Sequence, residues 1–411
     1  DEMPLTASGK LDRKALPELD GSLLSTKAYV APRTVVEEQI AVIWQDILGI
    51  EKVGVYDNFF ELGGHSLLAT RLVSQIRSQL KLELSIKEVF EHRTIAEISE
   101  LITNNDGNRV SLPPITREQS KDPIPLSFSQ ERLWFLDQLQ GSTEYHMPSV
   151  FNLEGDLDIK VLEKSFQLII ERHQTLRTLL ISENGIEFQK VIPSTYWKLN
   201  EIHFPNTSEL QNEIFNFLTR PFNLSEDYNI RVNVYKTGER KYVLACLIHH
   251  IASDGWSQAI FVNELNKIYN AYINNVSPSL SSFEIQYSDY AMWQRKYLEG
   301  KIIDDQLSYW KEKLNNVPKL KLPVDFTDNI AQNNDADITS LIIGKKLTSA
   351  LNKVCQEEGI TLFMLLLTGF KVLLSRYSNQ EDICIGTPIA NRTQSELESI
   401  IGFFINTLAL R

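Results

Sequence analysis

The sequence predicts a multidomain protein in which a small four-helix bundle precedes a larger mixed α/β domain. Three observations favour this arrangement. The chain has 411 residues, more than one ordinary hydrophobic core accommodates. Residues 33–103 show the apolar periodicity of helices, and from residue 125 onward helical and strand patterns alternate. Between them, residues 104–124 lose this periodicity and contain several prolines and asparagines, which is typical of a linker.

The composition indicates a folded protein without a surface for nucleic acid. Hydrophobic residues make up 43% and charged residues 23%, and the net charge of −12 leaves no basic excess to neutralise phosphates. We recognise no signal peptide and no membrane-spanning segment, so we expect a cytoplasmic protein with no membrane partner. Cys246, Cys355 and Cys384 are widely spaced in apolar runs, which favours reduced core thiols over a disulfide or metal set.

Recognisable start and stop signals bound the helices of the predicted bundle. The first helix has Thr34 as a candidate N-cap with Glu37 three residues later, a capping-box pattern, and Gly49 at its end. Phe59 and Phe60, in the following loop, are candidates to fill the small core. The remaining helices are predicted from Ser66, near Ile86–Phe90, and after a cap at Thr94.

In the larger domain, the most informative segment is Tyr242–Ile248, which is almost entirely apolar. Such a run predicts a strand that is buried on both faces. Further strands are predicted near Leu176–Ile181 and Ile383–Thr387, and helices near Ile159–His173, after Gly255, near Tyr287–Leu298 and near Thr361–Arg376.

Ser66 is a candidate point of covalent attachment. Gly63 and Gly64 leave the backbone before it accessible, and Leu67 and Leu68 offer apolar contacts. A phosphodiester on this serine would lie at the positive end of the helix dipole, where an anion is favoured. A serine in this position is also an ordinary helix cap, so the residue alone is compatible with both interpretations.

Two adjacent histidines, His249 and His250, end the apolar strand. Because side chains alternate across a strand, the two rings point to opposite faces, so one can be held in the structure while the other faces a cleft. There an imidazole suits proton transfer or the positioning of an ammonium group. We expect Asp254, if buried, to pair with an arginine or accept several amide hydrogens. Gly255 permits either a close backbone approach to a ligand or a turn with positive φ.

Residues 57–69, DNFFELGGHSLLA, resemble the core motif of peptidyl carrier domains in non-ribosomal peptide synthetases. The resemblance implies that residues 33–103 are such a domain. It implies that a phosphopantetheinyl transferase attaches 4′-phosphopantetheine to Ser66, and that an aminoacyl or peptidyl thioester is carried there. Residues 4–17, PLTASGKLDRKALP, resemble the closing motif of an adenylation domain, with Lys10 in the place of its catalytic lysine. Residues 1–32 are then the end of an upstream adenylation domain and a linker.

Residues 249–255, HHIASDG, match the HHxxxDG signature of condensation domains. Further motifs of that family resemble residues 126–136, 172–178, 287–294 and 401–411. The resemblance implies that residues 125–411 form two chloramphenicol-acetyltransferase-like lobes around a tunnel, with the second lobe incomplete because the chain stops within the family's fifth motif. A donor carrier would dock at one mouth and an acceptor carrier at the other.

The same resemblance assigns roles to individual residues. His250 would face the tunnel, either as the general base for the acceptor amine or as a hydrogen-bond acceptor that orients it, and His249 would be structural. For the partner of Asp254 we nominate Arg392. Gly255 would present its backbone near the thioester. Arg172 and Arg177 are interpreted as structural.

The implied activity is peptide-bond formation between two carrier-bound aminoacyl thioesters, with a downstream adenylation domain and an acceptor carrier as further partners. The opening motif, residues 126–136, resembles the subtype that joins an L-donor to an L-acceptor. Three alternatives stay open: a carrier and docking module whose second domain is an inactive platform, an acyltransferase that uses coenzyme A thioesters, and an epimerisation domain.

Overall fold

The computed structural model describes residues 29–411 except 65, 81, 83, 105–111, 119–122, 205–207 and 325–337. Lys10 and residues 1–28 of the predicted adenylation-domain remnant lie outside the described residues, as do residues 105–111 and 119–122 of the predicted linker. Contacts divide the chain into one unit of Asp1–Trp293 with Arg392–Phe403 and another of Gln294–Asn391 with Phe404–Arg411.

The helical bundle predicted at the start of the chain is present. Its core is built around Trp44 and Phe59, both fully buried, whose ring centroids lie 4.9 Å apart in an edge-to-face arrangement. Phe60 stacks on Phe90 at 4.7 Å, so both loop phenylalanines pack into the bundle as predicted. The helices are α1 (Val35–Leu48), α2 (Ser66–Gln75, continued by a π-helical turn over Ile76–Leu80), α3 (Ile86–Glu91) and α4 (Ile95–Asn104).

The predicted capping box at the start of α1 forms only in half. Thr34 accepts the amide hydrogen of Glu37, as expected of an N-cap. The carboxylate of Glu37 instead binds the backbone amide and the guanidinium of Arg33, because this cation competes with the cap amide for it. Gly49 ends the helix in the left-handed conformation at φ 66°.

The α/β part of the first unit is organised around the buried strand β7 (Lys241–His249). The sheet order β2-β7-β6-β5 places β7 between two antiparallel neighbours, which pair with both of its edges. Every residue of β7 after Lys241 is buried, so both faces of the strand are covered, as predicted. A second sheet has the order β1-β4-β3. The other elements of this part are β1 (Ile124–Pro125), α5 (Phe128–Gln140), β2 (His146–Glu154), α6 (Ile159–Arg172), β3 (Thr178–Glu183), β4 (Ile186–Val191), β5 (Asn200–His203), α7 (Leu210–Thr219), β6 (Ile230–Gly238) and α8 (Gly255–Ile273).

The second unit contains helices and an antiparallel strand pair. Helix α9 (Tyr287–Tyr297) leads into it. It is followed by α10 (Lys301–Lys313), α11 (Lys345–Glu358), α12 (Leu362–Ser378), β8 (Ile385–Ile389) and β9 (Asn406–Leu410). Residues Ile385 and Leu410 are paired at one end of the β8–β9 ladder. Within the described ranges, no helix is long and apolar enough to cross a bilayer. All three cysteines are free thiols, with Cys246 and Cys355 buried and Cys384 partly so.

Candidate active site and carrier attachment site

The turn before Ser66 requires glycine at two positions, Gly63 and Gly64. A Cβ added to Gly64 would lie 2.4 Å from the ring of Phe59, and Gly63 has a φ of 101° that L side chains rarely adopt. The chain therefore passes close over the buried ring and enters α2 at Ser66. The position fits a phosphodiester, because the N-terminus of a ten-residue helix favours an anion.

His249 is locked inside the fold. Its ring is fully buried, and its Nδ1 accepts the amide hydrogen of Ile251 at 3.1 Å. The proton of the neutral imidazole is therefore on Nε2, which donates to Ser142 Oγ at 2.8 Å, and that hydroxyl donates in turn to Asp137. Burial, with smaller contributions from His146, His250 and Arg231, lowers the pKa of His249 to about 3. This ring is thus neutral and held by hydrogen bonds on both nitrogens.

The depressed pKa of His249 predicts an acid-labile fold. The unfolded chain takes up a proton near the ordinary pKa of 6.5, whereas the folded chain resists protonation down to about 3. The free energy of unfolding therefore falls as the pH drops below 6.5. Between pH 7 and pH 5 we expect the wild type to lose about 2 kcal/mol more than the His249→Asn variant, measured by urea unfolding at both values. Parallel pH dependences of the two proteins would contradict this assignment.

His250 differs from its neighbour in its hydrogen bonding. It begins the short 3-10 turn His250–Ala252, is half-buried, and packs its ring edge-on against Phe403 at 4.8 Å. Within the part of the chain that is described, its Nδ1 is buried without a hydrogen-bond partner. The two histidines thus differ in their hydrogen bonding: both ring nitrogens of His249 are bonded, whereas Nδ1 of His250 is buried without a partner among the described residues.

Asp254 and Arg392 form the buried ion pair predicted from the sequence. Arg392 Nη2 lies 3.1 Å from Asp254 Oδ1, and both side chains are almost fully buried. Asp254 caps α8 by accepting the amide and hydroxyl hydrogens of Ser257 at 2.8 and 2.7 Å. The other guanidinium nitrogen of Arg392 donates to the carbonyls of Leu397 and Ile400. The pair thereby fixes the segment 392–403 against the start of α8.

Removing the cation of this pair is expected to be costly. In Arg392→Ala the buried carboxylate of Asp254 would lose its counter-ion, which typically lowers the free energy of unfolding by about 3–5 kcal/mol. Arg240→Ala is the matched control, because its partner Asp156 is 84% exposed and such pairs contribute at most about 1 kcal/mol. Denaturant unfolding of both variants checks the difference. If Arg392→Ala lowers the free energy of unfolding no more than Arg240→Ala does, the buried pair is dispensable.

Gly255 is the first residue of α8, and one of its two predicted uses is wrong. It has no positive φ, because Asp254 caps a regular helix here rather than a tight turn. An added Cβ would meet nothing within 4 Å, so the space beside this backbone is open. The alternative use, a close approach of a ligand to the backbone, is compatible with this opening.

Arg172 and Arg177, for which the resemblance implied a structural role, both bind groups of the surrounding fold. Arg172 binds both oxygens of Glu264 through Nε and Nη2, at 3.2 and 3.1 Å. His173, which the sequence analysis did not single out, binds the same carboxylate at 3.0 Å and accepts the amide of Ile401. Arg177 donates to the carbonyl oxygens of residues 170, 171 and 192.

Tyr287 is a further site residue that sequence reasoning missed. Its hydroxyl donates to the carbonyl of Phe403 at 2.6 Å and lies 2.8 Å from Ser127 Oγ. Burial raises the pKa of Tyr287 well above its ordinary value, so it stays a neutral donor. It fixes the residue against which His250 packs. The sequence motifs that contain residues 127, 287 and 403 all resemble the same family. That shared resemblance was the one indication in the sequence that these residues come together.

The carrier bundle contacts the segment that holds Arg392. Arg71 Nε of α2 lies 3.2 Å from Glu398 Oε2, and Arg77 Nη1 donates to the carbonyl of Thr393 at 3.1 Å. The carbonyl of Glu398 accepts Trp256 Nε1 at 3.0 Å, near the start of α8. Burial raises the pKa of Glu398, and the nearby Arg71 opposes that shift. One segment thus joins the carrier helix to the surroundings of His250.

Two family models match the chain. A phosphopantetheine attachment site matches residues 38–102, and a condensation domain matches residues 120–411. One of the linear gramicidin synthase polypeptides of Brevibacillus parabrevis is 45% identical over the whole chain, and tyrocidine synthase 3 of the same organism is 38% identical. The chain covers 8% and 6% of these relatives, so it spans less than a tenth of their length.

Solved structures show the same fold. The X-domain from teicoplanin biosynthesis, in its complex with OxyB, is 24% identical with a TM-score of 0.68, over 74% of this chain and 68% of that one. The first condensation domain of the CDA synthetase is 18% identical with a TM-score of 0.57, over 71% of each chain. These likenesses show the condensation-domain fold, and together with the two family models and the helical bundle they confirm the predicted fold class.

Proposed function

The chain belongs to the condensation-domain family and carries a phosphopantetheine attachment domain ahead of it, and from that premise we propose that it forms peptide bonds in non-ribosomal peptide synthesis. The observation that carries the proposal is the inequality of the two histidines. Both ring nitrogens of His249 form hydrogen bonds within the fold, whereas a buried nitrogen of His250 has no hydrogen-bond partner within the described residues. Such a nitrogen is suited to an incoming amine.

The serine proposed to hold the cofactor is Ser66, at the start of α2. When attached there, 4′-phosphopantetheine supplies a terminal thiol that carries an aminoacyl or peptidyl group as a thioester. The helix N-terminus would hold the phosphodiester, and the glycine turn would leave room for it. A phosphopantetheinyl transferase is the partner that this modification requires.

The proposed reaction joins an acceptor amine to the donor thioester carbonyl. The C–N bond forms, the C–S bond breaks, the sulfur leaves as thiol, and one proton leaves the amine. His250 would either take that proton or orient the amine by accepting a hydrogen bond. Bringing the reactants together supplies much of the acceleration, and proton transfer adds about 10²–10⁴.

The surrounding residues would hold this geometry without touching the reacting atoms. Asp254 and Arg392 keep the start of α8 and the segment 392–403 in place, and Tyr287 fixes Phe403 beneath the imidazole. Gly255 leaves open space beside the backbone for the thioester.

We also propose the finer assignments made from the sequence. The chain would be of the subtype that joins an L-donor to an L-acceptor, and residues 1–32 would end an upstream adenylation domain. The carrier would span residues 33–103 and the condensation domain residues 125–411, with a downstream adenylation domain and an acceptor carrier as partners. The contact of Arg71 with Glu398 supports delivery from Ser66 to the neighbouring domain of the same chain.

The test is the formation of a dipeptide. The protein, with any native residues that follow Arg411, is loaded on Ser66 with an L-aminoacyl-pantetheine and mixed with an acceptor carrier that bears a second amino acid. We expect a dipeptidyl thioester on the acceptor, seen by intact-protein mass spectrometry. An inverted donor residue without a dipeptide would indicate an epimerisation domain. Equal rates with free coenzyme A thioesters would indicate a carrier-independent acyltransferase, and an unreacted donor would indicate a docking platform.

A further inference from the structure

A cavity of about 400 Å³ lies between the β2–β7 ladder and helix α8, beside the strand end that carries the histidines. From β7 it is lined by Leu244, Cys246 and Ile248, which alternate along the strand and share one face of the sheet. From β2 it is lined by Met147 and Ser149, which lie opposite Ile248 and Cys246 in the ladder. The cavity is therefore built on the sheet and one helix of the first unit.

The cavity and His250 lie on the same side of the sheet. His249 is still extended, with φ −76° and ψ 136°, so the strand alternation continues through it. His249 then shares the face opposite to Ile248, and His250 shares the face of Ile248. Three residues further on, Ser253 lines the cavity directly. The empty space thus begins next to the proposed reaction centre.

Ser253 gives the cavity a polar group that the fold does not use. Its side chain is 1% exposed, and within the described residues its Oγ has no hydrogen-bond partner. An unsatisfied hydroxyl in the interior costs free energy, which a bound polar atom would recover. A substrate carbonyl or amine at the strand end is such an atom. This observation points to a ligand independently of the cavity's size.

The walls select against charge. Phe166 and Phe261 add aromatic surface, and no charged side chain lines the cavity in the part of the chain that the structure describes. Burial raises the pKa of Cys246 to about 12, so its thiol is an apolar wall and no nucleophile. An ionised group entering this space would lose its hydration without gaining a counter-ion. A branched aliphatic or aromatic group would gain the burial of its apolar area.

We propose that this cavity receives the uncharged apolar side chain of one of the two aminoacyl substrates, with Ser253 holding a polar atom of that substrate at the strand end. The inference rests on the proposed peptide-bond formation and adds to it a source of substrate selectivity. Donor and acceptor share the chemistry that the cavity would recognise, so the experiment must separate them.

The experiment fills the cavity by enlarging one side chain of β2 that lines it. Ser149 faces the cavity and Val150, the next residue, is 45% exposed and lines no part of it. Ser149→Phe and the milder Ser149→Leu are compared with Val150→Phe as the matched control. In the donor series, leucyl, phenylalanyl and alanyl groups are loaded on Ser66 with a fixed glycyl acceptor. In the acceptor series, the same three are offered as aminoacyl-pantetheine thioesters to a fixed alanyl donor. Single-turnover dipeptide formation gives the rate ratio of each large substrate to alanyl.

In one of the two series we expect the filling variants to lower this ratio by about tenfold or more, because discrimination between side chains in an apolar pocket is of that size. Val150→Phe should leave it unchanged. The series in which the rate ratio falls shows whether the cavity holds the donor side chain or the acceptor side chain. Unchanged ratios in both series, for proteins that still make the alanyl dipeptide, would overturn the inference and leave the proposed function standing. A wild type that joins no substrate pair at all would refute the proposed function itself.

Discussion

Ser66→Ala is expected to abolish both the attachment of phosphopantetheine and every carrier-dependent product. The loss should be complete, because Ser66 is the residue at the start of α2, just after the turn that Gly63 and Gly64 build over Phe59. Intact-protein mass spectrometry after incubation with coenzyme A and a phosphopantetheinyl transferase measures it. The wild type should gain the mass of one phosphopantetheine and the variant none.

The matched control for this variant is Ser85→Ala. Ser85 also precedes a helix of the bundle and accepts the amide hydrogen of Glu88 in a complete capping box. Its loss should weaken α3 by about 1 kcal/mol and leave the mass gain intact. A mass gain on the Ser66→Ala protein, or its loss on the Ser85→Ala protein, would show that the attachment point has been assigned to the wrong residue.

His250→Ala should lower the single-turnover rate of dipeptide formation by about 10²–10⁴ when the donor is fully loaded. In the proposed reaction this ring, which packs against Phe403, makes a hydrogen bond with the reacting amine, and its removal would take that contact away. Loading of Ser66 should be unaffected, because that step does not involve His250. His203→Ala, at an exposed position on β5, is the control and should keep the wild-type rate.

A second variant at this position separates its two possible roles. His250→Asn keeps a hydrogen-bond acceptor but cannot take up a proton near neutral pH. A rate close to that of the wild type would indicate that the residue orients the amine. A rate as low as that of His250→Ala would indicate a general base. If His250→Ala itself retains the wild-type rate, the chemistry takes place elsewhere.

The local features of the bundle could be predicted because they depend on near neighbours. Thr34 and Gly49 bound the first helix as expected, since capping involves residues within one turn. The exception is Glu37, whose carboxylate is taken by Arg33, a competition that the capping-box pattern does not encode. The apolar run of β7 likewise predicted a strand that is buried on both faces, before its partner strands were known.

The partners themselves could not be predicted. Strand β2 pairs with β7 along its length, from His146 opposite His249, across a hundred residues of intervening chain. The contact of Tyr287 with Phe403 is equally remote in sequence. Arg392 was nominated from the family resemblance alone, since neither spacing nor periodicity connects it with Asp254.

The central claim is that an acyl group held on Ser66 reaches the imidazole of His250. The most direct measurement uses the His250→Cys variant. A pantetheine probe with a terminal bromoacetyl group is attached to Ser66 of this variant, and the crosslinks are mapped by peptide mass spectrometry. We predict a crosslink between the peptide that contains position 66 and the peptide that contains position 250, absent from the protein with histidine there. A fully loaded probe that leaves the thiol at position 250 free, while a small alkylating reagent still reaches it, would contradict the account.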